Sequence, residues 1–248
     1  MQSDGVLGVR IDPCESDGLL NAITESVRKQ RKDVFAYANT HALNLAWTMP
    51  EFRAFLNSAH TVYCDGEGVR LAARLLGYRI PRRIALTYFF WDICRDAERM
   101  GYSLFLLGSR EEHLRDAVER IHARHPGLRI AGTHHGYFAK SGEESEAIVR
   151  TIQTANPDIL FVGFGMPLQE DWIRANKEQL AAQAILPCGS MIEYASGRKA
   201  LAPAWMSTHG LEWVYRLFQE PGRLWKRYLL GNPLFIYRVL RQRWSGRH

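Results

Sequence analysis

Two short stretches carry most of the chemistry available to this sequence. The first is Asp65-Gly66-Glu67-Gly68, which ends a four-residue apolar run, Thr61-Val62-Tyr63-Cys64, and opens a helical pattern with Val69, Ala72, Ala73 and Leu76 on one face. A carboxylate at the end of a parallel strand stands where open α/β folds bind ligands. Within reach of a substrate hydroxyl it can serve as a general base. It can equally cap the helix that follows, and the stretch alone leaves both readings open. The second is Gly163-Phe164-Gly165-Met166-Pro167-Leu168-Gln169-Glu170-Asp171-Trp172. Its glycines let a backbone approach a ligand, Pro167 suits a first helical turn, and the free amides of a helix start favour phosphate or sugar oxygens. A plain tight turn between strand and helix reads the same way.

Other chemistries find little to work with. GxGxxG, GK[ST], HExxH and GxSxG are all missing, His134-His135 lacks a third ligand at useful spacing, and no DxD pair is present to hold a metal on a sugar-nucleotide diphosphate. No metal and no cofactor is therefore expected. A phosphate leaving group would need guanidinium or ammonium partners, for which Arg83, Arg216, Arg223, Lys226 and Arg227 are available.

The elements that must position these residues follow an alternating pattern. Apolar runs at 34–38, 61–64, 103–108, 128–131, 158–163 and 184–188 predict strands, with a further short one at 6–11. Between them lie helical periodicities at 19–31, after His41 through Ala46, and at 51–58, 88–100, 110–124 and 143–154, and another that Pro167 begins. Strand and helix in alternation predict a Rossmann-like, doubly wound, mostly parallel sheet. After Pro203 strands cease, and helices are expected at about 207–219, 222–230 and 233–243. The expected organisation is an α/β catalytic domain over 1–202 and a helical, basic appendage over 203–248.

At 248 residues and 46% hydrophobic content the chain has ample material for a core. Its net charge of +6 is unevenly placed: no acidic residue follows Glu220, while Arg223, Lys226, Arg227, Arg238, Arg241, Arg243 and Arg247 do. Such a tail seeks phosphates, of a nucleic acid or of an anionic membrane. Trp225, Tyr228, Phe235 and Ile236 interleave with these cations, which suits a helix lying on a bilayer as well as one packed in a core. The four cysteines are widely spaced, and Cys64 and Cys188 fall in apolar runs, so reduced thiols and a cytoplasmic setting are expected. Neither a signal peptide nor a transmembrane segment is expected.

Several segments together resemble the WecG/TagA/CpsF family of bacterial glycosyltransferases. They are Asn39; Asp65-Gly66-x-Gly68-Val69; Pro81-x-Arg83; Gly136-Tyr137-Phe138; Gly163-x-Gly165-x-Pro167-x-Gln169-Glu170-x-Trp172-Ile173; Gly197 with Ala202-Pro203-x-Trp205; and the block from Gly210 to Arg223. The resemblance spans roughly residues 30–230. It implies an inverting transferase that moves a sugar from a UDP-sugar to a polyprenyl-diphosphate-linked saccharide in cell-surface polysaccharide assembly. Asp65 is then the implied general base. Asn39, Arg83 and Gln169 fall at implied donor-sugar positions. Gly136, Tyr137, Gly163, Gly165 and Glu193 lie on the nucleotide side, and Arg216, Arg223, Lys226 and Arg227 serve the diphosphate. The appendage would dock on the anionic inner face of the membrane, with no nucleic-acid partner and with self-association left open. The sequence departs from the usual pattern at Tyr37, Tyr88, Leu168, Glu193 and Leu201, so the sugar is open among N-acetylmannosamine, glucose and a uronic acid. Two other classes compete: a nucleotide-sugar oxidoreductase or epimerase, which the missing GxGxxG disfavours, and a non-catalytic adaptor using the basic tail.

Overall fold

Strands form here where β-branched, aromatic and leucine residues run together. In the computed structural model, which describes residues 5–246, the elements alternate. They are α1 (Ser16–Arg28), β1 (Asp33–Ala38), α2 (Thr40–Thr48), α3 (Pro50–Ser58), β2 (Thr61–Cys64), α4 (Glu67–Leu75), α5 (Leu86–Met100) and β3 (Ser103–Gly108). Next come α6 (Glu111–Arg124), β4 (Arg129–His134), α7 (Glu143–Ala155), β5 (Ile159–Gly163), α8 (Leu168–Asn176), β6 (Ala184–Pro187) and α9 (Met191–Ala195). Beyond them lie α10 (Ala204–Thr208), α11 (Glu212–Gln219), α12 (Pro221–Trp225), a π-helical turn over Lys226–Leu230, and α13 (Gly231–Trp244).

The sheet has the order β2-β1-β6-β5-β3-β4. Its β1–β6, β6–β5, β5–β3 and β3–β4 pairs are parallel, as a doubly wound α/β fold requires. Every residue of β3 and β5 is buried, which explains their unbroken apolar sequences. β4, at the sheet's edge, is half-exposed along most of its length. Its polar end, Thr133-His134, continues the strand past the apolar run at 128–131.

The chain divides into two compact units. One takes the stretches up to Glu15, from Tyr37 to Ile84, and from Leu201 onward; the other takes Ser16–Ala36 and Ala85–Ala200. In the first unit, the expected strand at 6–11 is instead a tight turn. Val6 and Val9 exchange backbone hydrogen bonds of 2.9 and 3.1 Å, with Leu7 and Gly8 in the left-handed region (φ 53° and 79°). Leu7 is buried there, and its N–H donates to Gln242 Oε1 of α13 at 2.9 Å. α13 also packs on α2, where Asn44 Nδ2 donates to Gly231 O (2.7 Å) and Arg238 Nη1 donates to Asn44 O and Oδ1 (3.1 and 2.8 Å). Arg238 is thus a buried tether and not a surface cation. Arg243 is likewise engaged, donating to Leu75 O at the end of α4. Arg247 lies outside the described residues.

In the second unit, α5 ends on Gly101 in the left-handed conformation (φ 71°), with Tyr102 N–H on Ala97 O at 2.8 Å, a glycine stop that frees the chain to turn into β3. Cys94 and Cys188 are buried, free thiols here, as is Cys64 in the first unit. Among the described residues no helix is long and apolar enough to cross a membrane.

Candidate active site

Asp65 follows β2 directly, and its backbone N–H donates to Ala38 O at the end of β1 (2.9 Å). The capping alternative does not hold. α4 starts from Gly66 in extended conformation with no side-chain cap, and the N-terminal cap in this region belongs to Asn39. The Oδ1 of Asn39 accepts from His41 N (3.1 Å) and Ala42 N (3.0 Å) at the start of α2, which leaves its amide NH₂ for the space in front of it. Gly68 has a packing reason: a Cβ there would come within 2.8 Å of the Thr40 methyl. Its bareness admits Thr40, whose hydroxyl goes on to Asn232 Oδ1 at 3.0 Å.

A cavity of about 670 Å³ opens in front of these strand ends within the first unit. Asn39, Asp65 and Arg83 line it together with Glu212, Trp213 and Arg216 of α11 and Arg227 of the π-turn. Its other limb is apolar, formed by Leu71 and Leu75 of α4 against Leu229, Phe235, Ile236 and Val239. Loss of water around the Asp65 carboxyl raises its pKa to about 7. The charge of Glu212 pushes the same way, while Arg216, Arg83 and Arg227 oppose it. A carboxyl poised there exchanges protons readily near neutral pH.

The cationic side of the cavity is partly dry. Burial lowers the Arg227 pKa, helped by the neighbouring charge of Arg216, and Arg227 Nε is buried with no hydrogen-bond acceptor among the described residues. Two guanidinium groups that repel each other across a desolvated wall suit a doubly charged anion. Arg83 is held by Glu212 Oε2 (3.1 Å from Nη1) and by Ser207 O (3.0 Å from Nη2). Glu67 also lines the cavity, but Arg70 grips both its carboxylate oxygens (Nε at 3.0 Å from each). Arg223 is paired with Glu220 on the surface (Nε to Oε1 3.1 Å), and the exposed Lys226 lies over the Trp225 ring. Neither lines the cavity.

The remaining sequence-expected residues belong to the second unit. Gly163 ends β5, and a Cβ on it would meet Gly189 O at 2.7 Å, so its room is filled by the neighbouring turn. Gly136 packs similarly on Gly108. Gly165 differs: its φ is +86° and the space beside it is open. Pro167 sits at the cap position before α8, one residue earlier than a first-turn proline. Gln169 is fully buried, and its Oε1 accepts from Gly165 N (3.2 Å) and Gly189 N (3.0 Å) while Nε2 donates to Glu170 Oε1 (2.7 Å). It braces two glycine turns. Tyr137 is exposed and shares a hydrogen bond with Arg110, whose charge Glu193 also supports. Glu193 in turn pairs with Lys199. Arg110 and Glu212 are the residues that sequence reasoning missed. Arg110 had no motif, and Glu212 sat in the quoted Gly210–Arg223 block without a role.

Comparison with known proteins decides the family. The model of the glycosyl transferase WecG/TagA/CpsF family matches residues 5–248. The chain belongs to this family. Among its relatives is the N-acetylglucosaminyldiphosphoundecaprenol N-acetyl-beta-D-mannosaminyltransferase of Staphylococcus aureus strain MW2. It is 30% identical over 204 residues, 82% of this chain and 77% of the relative. The protein of the same description from Bacillus subtilis strain 168 is 32% identical over 187 residues, 75% and 71% of the two chains. The Asp65 cavity is therefore a cavity in a member of a glycosyltransferase family.

Proposed function

We propose that this protein transfers a sugar, with inversion, from a UDP-sugar to a polyprenyl-diphosphate-linked saccharide, and that Asp65 is its general base. The single observation that carries this reading is a cap-free carboxyl at a strand end, facing a cavity walled by Arg83, Arg216 and Arg227. In the proposed step Asp65 takes the proton from the acceptor hydroxyl as its oxygen attacks the anomeric carbon. The bond from that carbon to the diphosphate breaks, and UDP leaves with the electron pair. Attack and departure on opposite faces invert the centre. The guanidinium groups offset the charge that develops on the diphosphate, a role that otherwise falls to a metal ion.

The lipid-linked acceptor is supported by the names of the relatives, which act on an undecaprenol-diphosphate saccharide. Peripheral docking on an anionic inner membrane face is supported by the exposed Trp225, Leu229, Leu230, Ile236, Tyr237 and Trp244 beside the tail's cations. Donor-sugar contacts are assigned to Asn39 and Arg83, and diphosphate contacts to Arg216 and Arg227, all of which line the cavity. The expected contact of Gln169 is withdrawn because its buried amide is spent on Gly165, Gly189 and Glu170. Arg223 and Lys226 stand outside the cavity as further cations. On the nucleotide side the assignment is Gly136, Tyr137, Gly163, Gly165 and Glu193.

The test is UDP release from a panel of UDP-sugars, with and without an undecaprenyl- or shorter-chain diphosphate-GlcNAc acceptor, in buffer and in EDTA. Acceptor-dependent release that EDTA leaves unchanged supports the proposal. Release from no donor, or full activity in Asp65→Asn, overturns it.

A further inference from the structure

We propose that Glu212 is a positioning residue for this reaction, holding the Arg83 guanidinium against the cavity wall and setting the charge that Asp65 faces. The inference rests on the sugar-transfer reading above and deepens it. Arg83 follows Ile80-Pro81-Arg82 in a segment without helix or strand, so no regular backbone fixes where its long side chain points. Its described hydrogen bonds are to Glu212 Oε2 and Ser207 O, at 3.1 and 3.0 Å. Both ends of the ion pair keep only about a fifth of their side-chain surface (20% and 18%). A partly dried pair of this kind holds its geometry better than an exposed one.

The second half of the argument is charge. Asp65 faces Arg83, Arg216 of α11 and Arg227 of the π-turn, and Glu212 is the acidic group set against them. Glu67 and His209 also line the cavity, but Glu67 is committed to Arg70, and His209 Nδ1 meets Trp205 O at 2.7 Å. Three guanidinium groups alone would favour the Asp65 carboxylate and weaken it as a base. Glu212 offsets one of them by pairing with it. α11 achieves this with one turn of helix, since Glu212 and Arg216, four residues apart, lie on one face and put an acid and a base into the same space.

The experiment compares Glu212→Gln, Glu212→Ala and wild type by pH profile, by steady-state kinetics, and by carbon-13 NMR titration of the Asp65 carboxyl. Glu212→Gln keeps an oxygen acceptor for Arg83 and removes the charge. Its expected signature is an Asp65 titration, and an acid limb of kcat/KM, displaced about one pH unit downward, with the donor KM within about twofold of wild type. Glu212→Ala also releases Arg83, and its donor KM is expected to rise about tenfold, the loss of about one charge-assisted contact. Superimposable wild-type and Glu212→Gln titrations, or equal KM changes in the two variants, would overturn the inference. The NMR arm reads Asp65 without turnover, so a protein that releases no UDP defeats the sugar-transfer reading while the charge role of Glu212 is still decided. Melting temperatures of both variants check that the fold is intact.

Discussion

Two desolvated carboxyls, one in each unit, are pushed the same way for the same first reason and stand in different surroundings. Burial raises Asp65 and Glu170 alike to about 7. Around Glu170 the next influence is the hydrogen bond from Gln169, and the side chain is closed off from solvent. Around Asp65 the next influences are Glu212 and three arginines, and the carboxyl borders open space. A shifted proton affinity therefore does not identify a reactive acid. Of the two, Asp65 is the one that borders a cavity and faces several guanidinium groups.

The largest effect that would break this comparison is on turnover. Asp65→Asn is expected to lower kcat by about 10²–10⁴-fold, the range for losing a general base, with little change in donor KM. An intact kcat would make Asp65 no more reactive than Glu170. Wild-type kcat/KM should rise with pH through about 7, because the base acts deprotonated.

Glu170 gives the complementary test in stability. Its folded pKa lies above its ordinary value of 4.5, so its contribution is fully present below about pH 4.5 and is lost as pH rises through 7. At about 1.4 kcal/mol per unit, unfolding free energy should fall by on the order of 3 kcal/mol between pH 4.5 and 8 on this account. Glu170→Gln should remove that part of the slope, as urea midpoints at the two pH values would reveal, and leave turnover near wild type.

Smaller effects sharpen the account of the arginines. Arg227→Ala should cost about 10- to 100-fold in kcat/KM, the equivalent of about 1.5–3 kcal/mol for a bond between charged groups. Arg223→Ala, which removes an exposed pair with Glu220, should alter stability by less than about 1 kcal/mol. It should also reduce kcat/KM less than Arg227→Ala does. Equal losses in the two would mean that the cavity walls do not define the anion site.

Much of this was legible in the sequence because it is local. β2 and β3 match their apolar runs to the residue, and the Asp65 turn is announced by the change from strand to glycine. What was not legible depends on partners far along the chain. β4 extends through His134 because pairing with β3, and not composition, carries it there. The 6–11 segment turns because Gly5, Leu7 and Gly8 adopt left-handed backbone and Gln242 receives Leu7. α9 spans five residues, too few to give a period. The basic tail reads as a uniform run of charge, yet Arg227 faces the cavity, Arg238 is buried against α2 and Arg223 stays on the surface. Glu212 stood in the Gly210–Arg223 block without a role, since only its meeting with Arg83 gives it one.

The hydrogen bonds between Gln242 and the Gly5–Leu7 backbone join residues 235 and 237 positions apart. Closure across that distance is entropically slow, and it cannot begin while α13 is still inside the ribosome. The unit built of Ser16–Ala36 and Ala85–Ala200 has all its residues available well before then. The Asp65 cavity takes one wall from residues 39–83 and another from residues 209–239, so it cannot form before residues 209–239 have been made. Until that second wall is made the nascent chain holds Asp65 and Arg83 without Arg216 and Arg227.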